Sequence, residues 1–449
     1  MTDAAEADAG VPPLGGICSY ERAASPGLAV EVTVARLKRY NHLAGALHRI
    51  AAAHLPRTPE WEVKCGLGLH LYLDADHCAA IRERVAEMRE PPLRLDAVPD
   101  ERLRAVVEEA IRARDTVELL AAVYGVLRPA LVAAMEAHVQ ALNPLFDHPT
   151  HRLLRGILRE QHEMLAWGRE AVAALTRTDA GEARATAFGS HVAGFLAAAG
   201  GVGGDEPEQA APGAPRWDGS EYAMDATVRR DERFADPFNA SADIDAYYQD
   251  ESLAADERTF ALAYKRLREM DVPECMAPIL FGARGGPWDY HRDLARQLWD
   301  ETRHAMMGEV ALDRLGIPFH AYPVDAAFSA LLNDHFTPFE AHVLLWAIEQ
   351  GLMPRETGKR WEWSIAGLDG DPFFVALQDH DWADEVLHAR IGRRWLREKV
   401  GGTAGREAMA ADLWKRYEDL LPSYLVRSRQ AEWWPEFVER ARAARAAPS

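Results

Sequence analysis

Two strings in the second half of the chain bring together residues that can hold a metal: Asp300-Glu301-Thr302-Arg303-His304 and Asp384-Glu385-Val386-Leu387-His388. On an α-helix, residues three and four apart are separated by about 60° and 40° around the axis, so each Glu and His can aim at one point from a single face. Read singly, either string could be a solvated run of ion pairs. The two stand 84 residues apart at matching depths, because Pro287 and Pro372 each mark a first helical turn and put Glu301 and Glu385 14 and 13 residues further on. Two more carboxylates complete a set. Glu349, in LLWAIEQGL, borders an apolar face of Leu345, Ile348 and Leu352, where a lone carboxylate needs a partner. Ahead of Glu301, two residues compete. Glu269 lies level with Glu301 if one helix ends near Gly282 and the next starts near Pro287, while Pro273 and Pro278 would kink the first helix and keep Glu274 open. Carboxylates can bridge two cations, and neutral imidazoles complete each coordination sphere with room left for an outside ligand. Asp300 and Asp384 are placed to accept the distal N–H of a metal-bound histidine, with Arg303 pairing one of them.

The elements that must position these residues are helical. Ala and Leu dominate the 449 residues and charges recur at helical spacing, so the fold class expected is all-α. A net charge of −19 argues against a general grip on nucleic acid or an anionic membrane. No run of 18 apolar residues stands out, the first 16 residues are acidic and lack a signal-peptide pattern, and the four cysteines show no CxxC spacing. A cytoplasmic protein with reduced thiols is the expectation. The Gly-, Pro- and Ala-rich stretch 197–216 reads as a linker, and 217–250 as an irregular lead-in. The domains expected are residues 20–196, a linker and lead-in over 197–250, and residues 251–449.

The halves also match each other. LLAAVYGVLRP at Leu119 matches LLWAIEQGLMP at Leu344, LYLDADH ending at His77 matches LWDETRH ending at His304, and Gly168 matches Gly392, at offsets of 225, 227 and 224. Such agreement indicates a duplicated unit. Under it Glu269, Glu301 and His304 correspond to His42, Asp74 and His77, and Glu349, Glu385 and His388 to Tyr124, Gln161 and Met164. The first half is therefore expected to lack a dimetal centre and to fill its middle with Leu47, Tyr124 and Met164. Asp381, four residues before Glu385, reads as a first-turn acidic residue with an approach to the metals as the alternative, and His335 and His342 read as core or surface histidines, with His342 lining the cavity as the alternative. Trp299, Trp346 and Trp382 read as packing residues, and the tail with Trp433-Trp434 as a docking helix.

Two helices each giving Glu-x-x-His and two others each giving one Glu resemble the ferritin-like diiron and dimanganese proteins over roughly residues 255–400. The string DETRH has the fuller Asp-Glu-x-Arg-His form of oxygen-activating members. The resemblance implies two tandem ferritin-like four-helix bundles, the second with an intact site. Its metal ligands would be Glu269 (or Glu274), Glu301, His304, Glu349, Glu385 and His388, backed by Asp300, Asp384 and Arg303. It implies two iron ions, with manganese or a mixed iron–manganese pair as alternatives. The activity implied is a non-haem diiron oxygenase or oxidase using O2 or peroxide on a small organic substrate, with an electron-donor protein as a further partner. The alternative is a peroxide- or iron-handling protein like rubrerythrins and ferritins, against which stand the missing CxxC centre and the long chain. A non-catalytic helical interaction protein is the third class.

Overall fold

A computed structural model describes residues 11–446 apart from 90, 92, 208, 210–212, 398, 399 and 401. Among the described residues every regular element is a helix, as the composition anticipates. The chain forms two compact units, one of residues up to 46 and 76–220, the other of residues 47–75 and 221–449.

The first unit holds α1 (Tyr20–Ala23), most of α2 (Val30–His54) and the end of α3 (Trp61–Glu87). It continues with α4 (Glu101–Ala110), α5 (Thr116–Ala122), α6 (Arg128–Ala141), α7 (His148–Leu175) and α8 (Asp179–Ala198). Asp100, Asp115, Asp147 and Thr178 cap α4, α5, α7 and α8 by accepting from backbone N–H groups of the first turn. A π turn, Val123–Leu127, joins α5 to α6. The run Thr116–Ala141 is, against expectation, long and apolar enough to cross a membrane, yet 67% of it is buried inside the protein and Arg128 lies within it. A buried core helix passes the same test.

The second unit begins with residues 47–75, the end of α2 and the start of α3, and this departs from the boundary expected at 197. The cause is local. Trp61 is fully buried, stacks on Phe234 at 5.4 Å and donates its Nε1 to Glu309 at 3.0 Å, while Lys64 is buried against Glu274. Among the described residues of 197–216, Val202 accepts from Arg39 at 2.6 Å through its carbonyl, and Arg216 holds Glu118 through two bonds of 2.7 and 2.9 Å. Residues 217–250 are irregular until α9 (Ile244–Gln249), as expected. Then come α10 (Ala255–Arg268), α11 (Asp271–Gly282), α12 (Trp288–Arg314), α13 (Ala327–His335), α14 (Pro338–Gly351), α15 (Lys359–Asp369), α16 (Pro372–Leu396), α17 (Gly402–Leu425) and α18 (Trp434–Ala446).

Helix α12 packs on α10, α11 and α16, and α14 on α11 and α16. Two glycines set those distances. A Cβ on Gly308 would stand 2.1 Å from the backbone nitrogen of Leu267, and one on Gly392 2.5 Å from the Trp346 ring. Each lies one turn past a motif histidine, so both strings read in full as DExxHxxxG. In the first unit Gly168 meets the Tyr124 ring in the same manner. Trp433, Trp434 and Phe437 of the tail pack on Tyr264 and Tyr322, which makes α18 part of the core.

Candidate metal centre

The sequence turns back where Glu269 stands. Pro273 has no N–H to give the carbonyl of Glu269, which instead accepts from Val272 at 3.0 Å, so α10 ends at Arg268 and α11 starts at Asp271. Glu269, the C-cap of α10, is turned toward His304. Pro278 likewise frees the carbonyl of Glu274, and the Asn333 amide fills the gap at 3.1 Å. Glu274 itself is fully buried away from the histidines, held by Lys64 and Arg230. Between the two carboxylates left open by the sequence, the fold brings Glu269 to the cluster.

All six residues Glu269, Glu301, His304, Glu349, Glu385 and His388 converge, in two groups. Ligand atoms of Glu301, Glu349, Glu385 and His388 lie within 4.8 Å of one another, and so do those of Glu269, His304 and Asp381. Glu301 joins the groups, with Oε1 3.0 Å from His388 Nδ1 and Oε2 3.4 Å from His304 Nδ1. Behind the imidazoles the motifs cross over. His304 Nε2 faces Asp384 at 3.2 Å, and His388 Nε2 faces Asp300 at 3.3 Å, so each aspartate steadies the histidine of the other string. Arg303 donates to both aspartates, at 2.7 Å to Asp300 and 2.6 Å to Asp384, and Arg296 adds two bonds of 2.9 Å to Asp300. Arg303 also borders an apolar cavity of about 490 Å³ lined by Met306, Met307, Phe373 and Leu377.

Several members were not legible, and Asp381 was legible only as the weaker of two readings. Asp381 is no first-turn residue: it sits ten residues into α16, fully buried. Lys359 reaches both its oxygens at 3.0 Å and Glu385 at 2.9 Å, and Arg266 pairs with Asp381 and with Glu269 at 2.9 Å. Glu362, also buried, accepts from Lys265 at 2.6 Å. Gln297 donates to Glu349 at 3.0 Å. Arg266 precedes Glu269 by one turn, the only spacing that hints at it. His342 accepts or donates to Tyr290 at 3.0 Å, a core contact.

The electrostatics follow from crowding. Burial, then repulsion from Glu385, push the Glu349 carboxyl well above the ordinary range. Burial pushes Glu385 up as well, but Lys359 and the neighbouring Glu349 and His388 outweigh it and hold that carboxyl well below. Burial works against charging the imidazoles, yet the carboxylates prevail and keep His304 and His388 well above the usual histidine value. Asp300, raised by burial, is brought down to about 2 by His388 and Arg303.

A cation fits what remains. Buried side-chain atoms with no hydrogen-bond partner include Glu269 Oε2, His304 Nδ1, Glu349 Oε2, Glu385 Oε2 and His388 Nδ1. All five are ligand-type atoms facing the same two points, where leaving them unpaired is costly. In the first unit the equivalent region differs: Gln161 meets His77 at 3.3 Å and accepts from the buried Arg128 at 3.1 Å. Tyr124 and Met164 are buried there as expected, while the guanidinium was not anticipated. Among the described residues, His42, Asp74 and His77 do not form a third ligand group. No family model, curated protein or solved structure matches the chain.

Proposed function

We infer that the second unit is a ferritin-like bundle whose Glu269, Glu301, His304, Glu349, Glu385 and His388 hold two iron ions. On this reading the chain is an oxidoreductase using O2 or peroxide on a small organic substrate. The observation that carries the reading is the convergence of five buried, unpartnered ligand atoms from four helical segments, with Glu301 divided between two histidines. Two such ions, when bound, supply reversible one-electron redox chemistry and open positions for O2 or peroxide. The chain's own residues do the rest. Asp384 and Asp300 fix the ring orientation of His304 and His388, so that each presents Nδ1 inward, and Arg303 ties the two aspartates into one unit. Gln297 fixes one oxygen of Glu349 and leaves the other turned to the cluster. Glu301, His304, Glu349, Glu385 and His388 are buried, and the inward oxygen of the half-buried Glu269 is covered too, which excludes water from these atoms. In the first unit, Arg128 among Gln161 and Tyr124 supports a metal-free bundle of the same descent.

The test is direct. The full chain, purified after expression with iron and with manganese, should retain about two metal ions by elemental analysis, and anaerobic loading with Fe(II) followed by air should consume O2. The His304→Ala/His388→Ala double variant should lose the metal and the O2 uptake while its helix content stays. Equal metal content in that variant and the parent refutes the reading. Iron uptake far beyond two per chain would shift the function to iron handling.

A further inference from the structure

The two ligand groups are not equivalent, and the difference lies in buried cations. In the group of Glu301, Glu349, Glu385 and His388, Glu385 alone touches a lysine or arginine, Lys359 at 2.9 Å, and Glu349 is held by the neutral Gln297. Three of that group's atoms, Glu349 Oε2, Glu385 Oε2 and His388 Nδ1, have no hydrogen-bond partner. In the group of Glu269, His304 and Asp381, both carboxylates already carry cations. Arg266 pairs with Asp381 and lies 2.9 Å from Glu269, and Lys359 sits 3.0 Å from each oxygen of Asp381 and 3.9 Å from Glu269. Both cations are fully buried, so water does not screen them from an incoming ion. Five carboxylates thus face two fixed positive charges: Lys359 is shared between Glu385 and Asp381, and Arg266 lies wholly on the side of Glu269 and Asp381.

We propose that the centre loads in two unequal steps: a first divalent ion binds tightly at Glu301, Glu349, Glu385 and His388, and a second binds weakly at Glu269 and His304 in competition with Lys359. The ammonium of Lys359 occupies the acceptor oxygens of Asp381 that an ion would need, and Arg266 holds Glu269 from behind. A second ion must displace Lys359 toward Glu362, whose Oε2 lies 4.0 Å away. The inference rests on the two-metal reading above and assigns Lys359 the role of setting the gap between the steps.

The test titrates the full chain with Mn(II), followed by native mass spectrometry and by the electron paramagnetic resonance signal of free Mn(II). The parent should bind a second ion at least about tenfold more weakly than the first, the lower end of what one neighbouring like charge does to an ionic equilibrium. Lys359→Met, which keeps length and removes charge, should close that gap by about tenfold. His388→Ala should abolish the tight step, and His304→Ala should spare it and abolish the weak one. Two equal steps in the parent, an unchanged gap in a folded Lys359→Met, or loss of the tight step in His304→Ala overturns the proposal. The parent and histidine titrations decide it even where Lys359→Met does not fold. Equal steps leave the two-metal reading standing, whereas no Mn(II) or iron binding by the parent removes both.

Discussion

Replacing Glu349 by Gln should stabilise the metal-free protein and weaken its response to metal, two effects of opposite sign from one atom. Glu349 is 3% exposed, and burial and Glu385 push its carboxyl well above its ordinary value of 4.5. The folded chain therefore holds the Glu349 proton to higher pH than the unfolded chain does. Each unit by which the folded value is raised costs the fold about 1.4 kcal/mol, and the interval from the ordinary value to pH 7 bounds the penalty there at about 3.5 kcal/mol. Glutamine mimics the neutral acid, keeps an oxygen for Gln297 and has no ionised form in the unfolded state, so it escapes the penalty. For a domain of this size the limit corresponds to a rise in the melting temperature of about 5–10 °C. The sign with pH is fixed: the raised value means wild-type stability falls as pH rises above 4.5, so the variant's advantage is absent near pH 4 and grows toward pH 7. With metal present the order reverses. An ion at a hundred times its dissociation constant adds about 2.7 kcal/mol to the wild type, and the variant, one anionic ligand short, gains much less. Thermal melts by circular dichroism at pH 4 and 7, with chelator and with Mn(II), read all four corners. A lower metal-free melting temperature in Glu349→Gln at pH 7, or an undiminished shift with Mn(II), refutes the reasoning.

Three further outcomes follow from the same geometry. Arg303→Met should loosen Asp300 and Asp384 together and lower metal affinity by about 10–100-fold, measured by competition with a chelating dye, while the melting temperature of the metal-free chain moves little. Metal uptake should release protons, because His304, His388 and Glu349 all hold theirs above their ordinary pH in the metal-free site; pH-indicator titration should show up to three protons released, and affinity should fall as pH is lowered. A fragment starting at residue 217 should fail to give a folded metal-binding unit, since it lacks residues 47–75, which supply Trp61 beside Phe234 and Lys64 beside Glu274; a soluble fragment with cooperative melting and full metal content would contradict this.

What could be read from the chain was what helical periodicity carries. Two DExxH strings at matching depth and a lone Glu349 on an apolar face place carboxylates and imidazoles along single helices, because residues three and four apart must share a face. The choice between Glu269 and Glu274 was half legible. The prolines announced a break, but whether it would fall at Met270 or later depended on which carbonyls found other donors, and Asn333, 59 residues from Glu274, decided one of them. The glycines four residues after each histidine were present as a repeat, and only the backbone of Leu267 and the ring of Trp346 show what they are for. Lys359, Arg266 and Glu362 had no local signature, since a buried ion pair is defined by partners from other helices. Their absence from the reading matters more than their number suggests. A ligand list predicts a symmetric centre, Glu-x-x-His facing Glu-x-x-His. Asp381 with Lys359 and Arg266 makes it asymmetric in charge, and the loading order proposed above rests on that asymmetry. The symmetry of the motif and the asymmetry of the site thus come from different scales of the same chain, the helix turn and the tertiary contact.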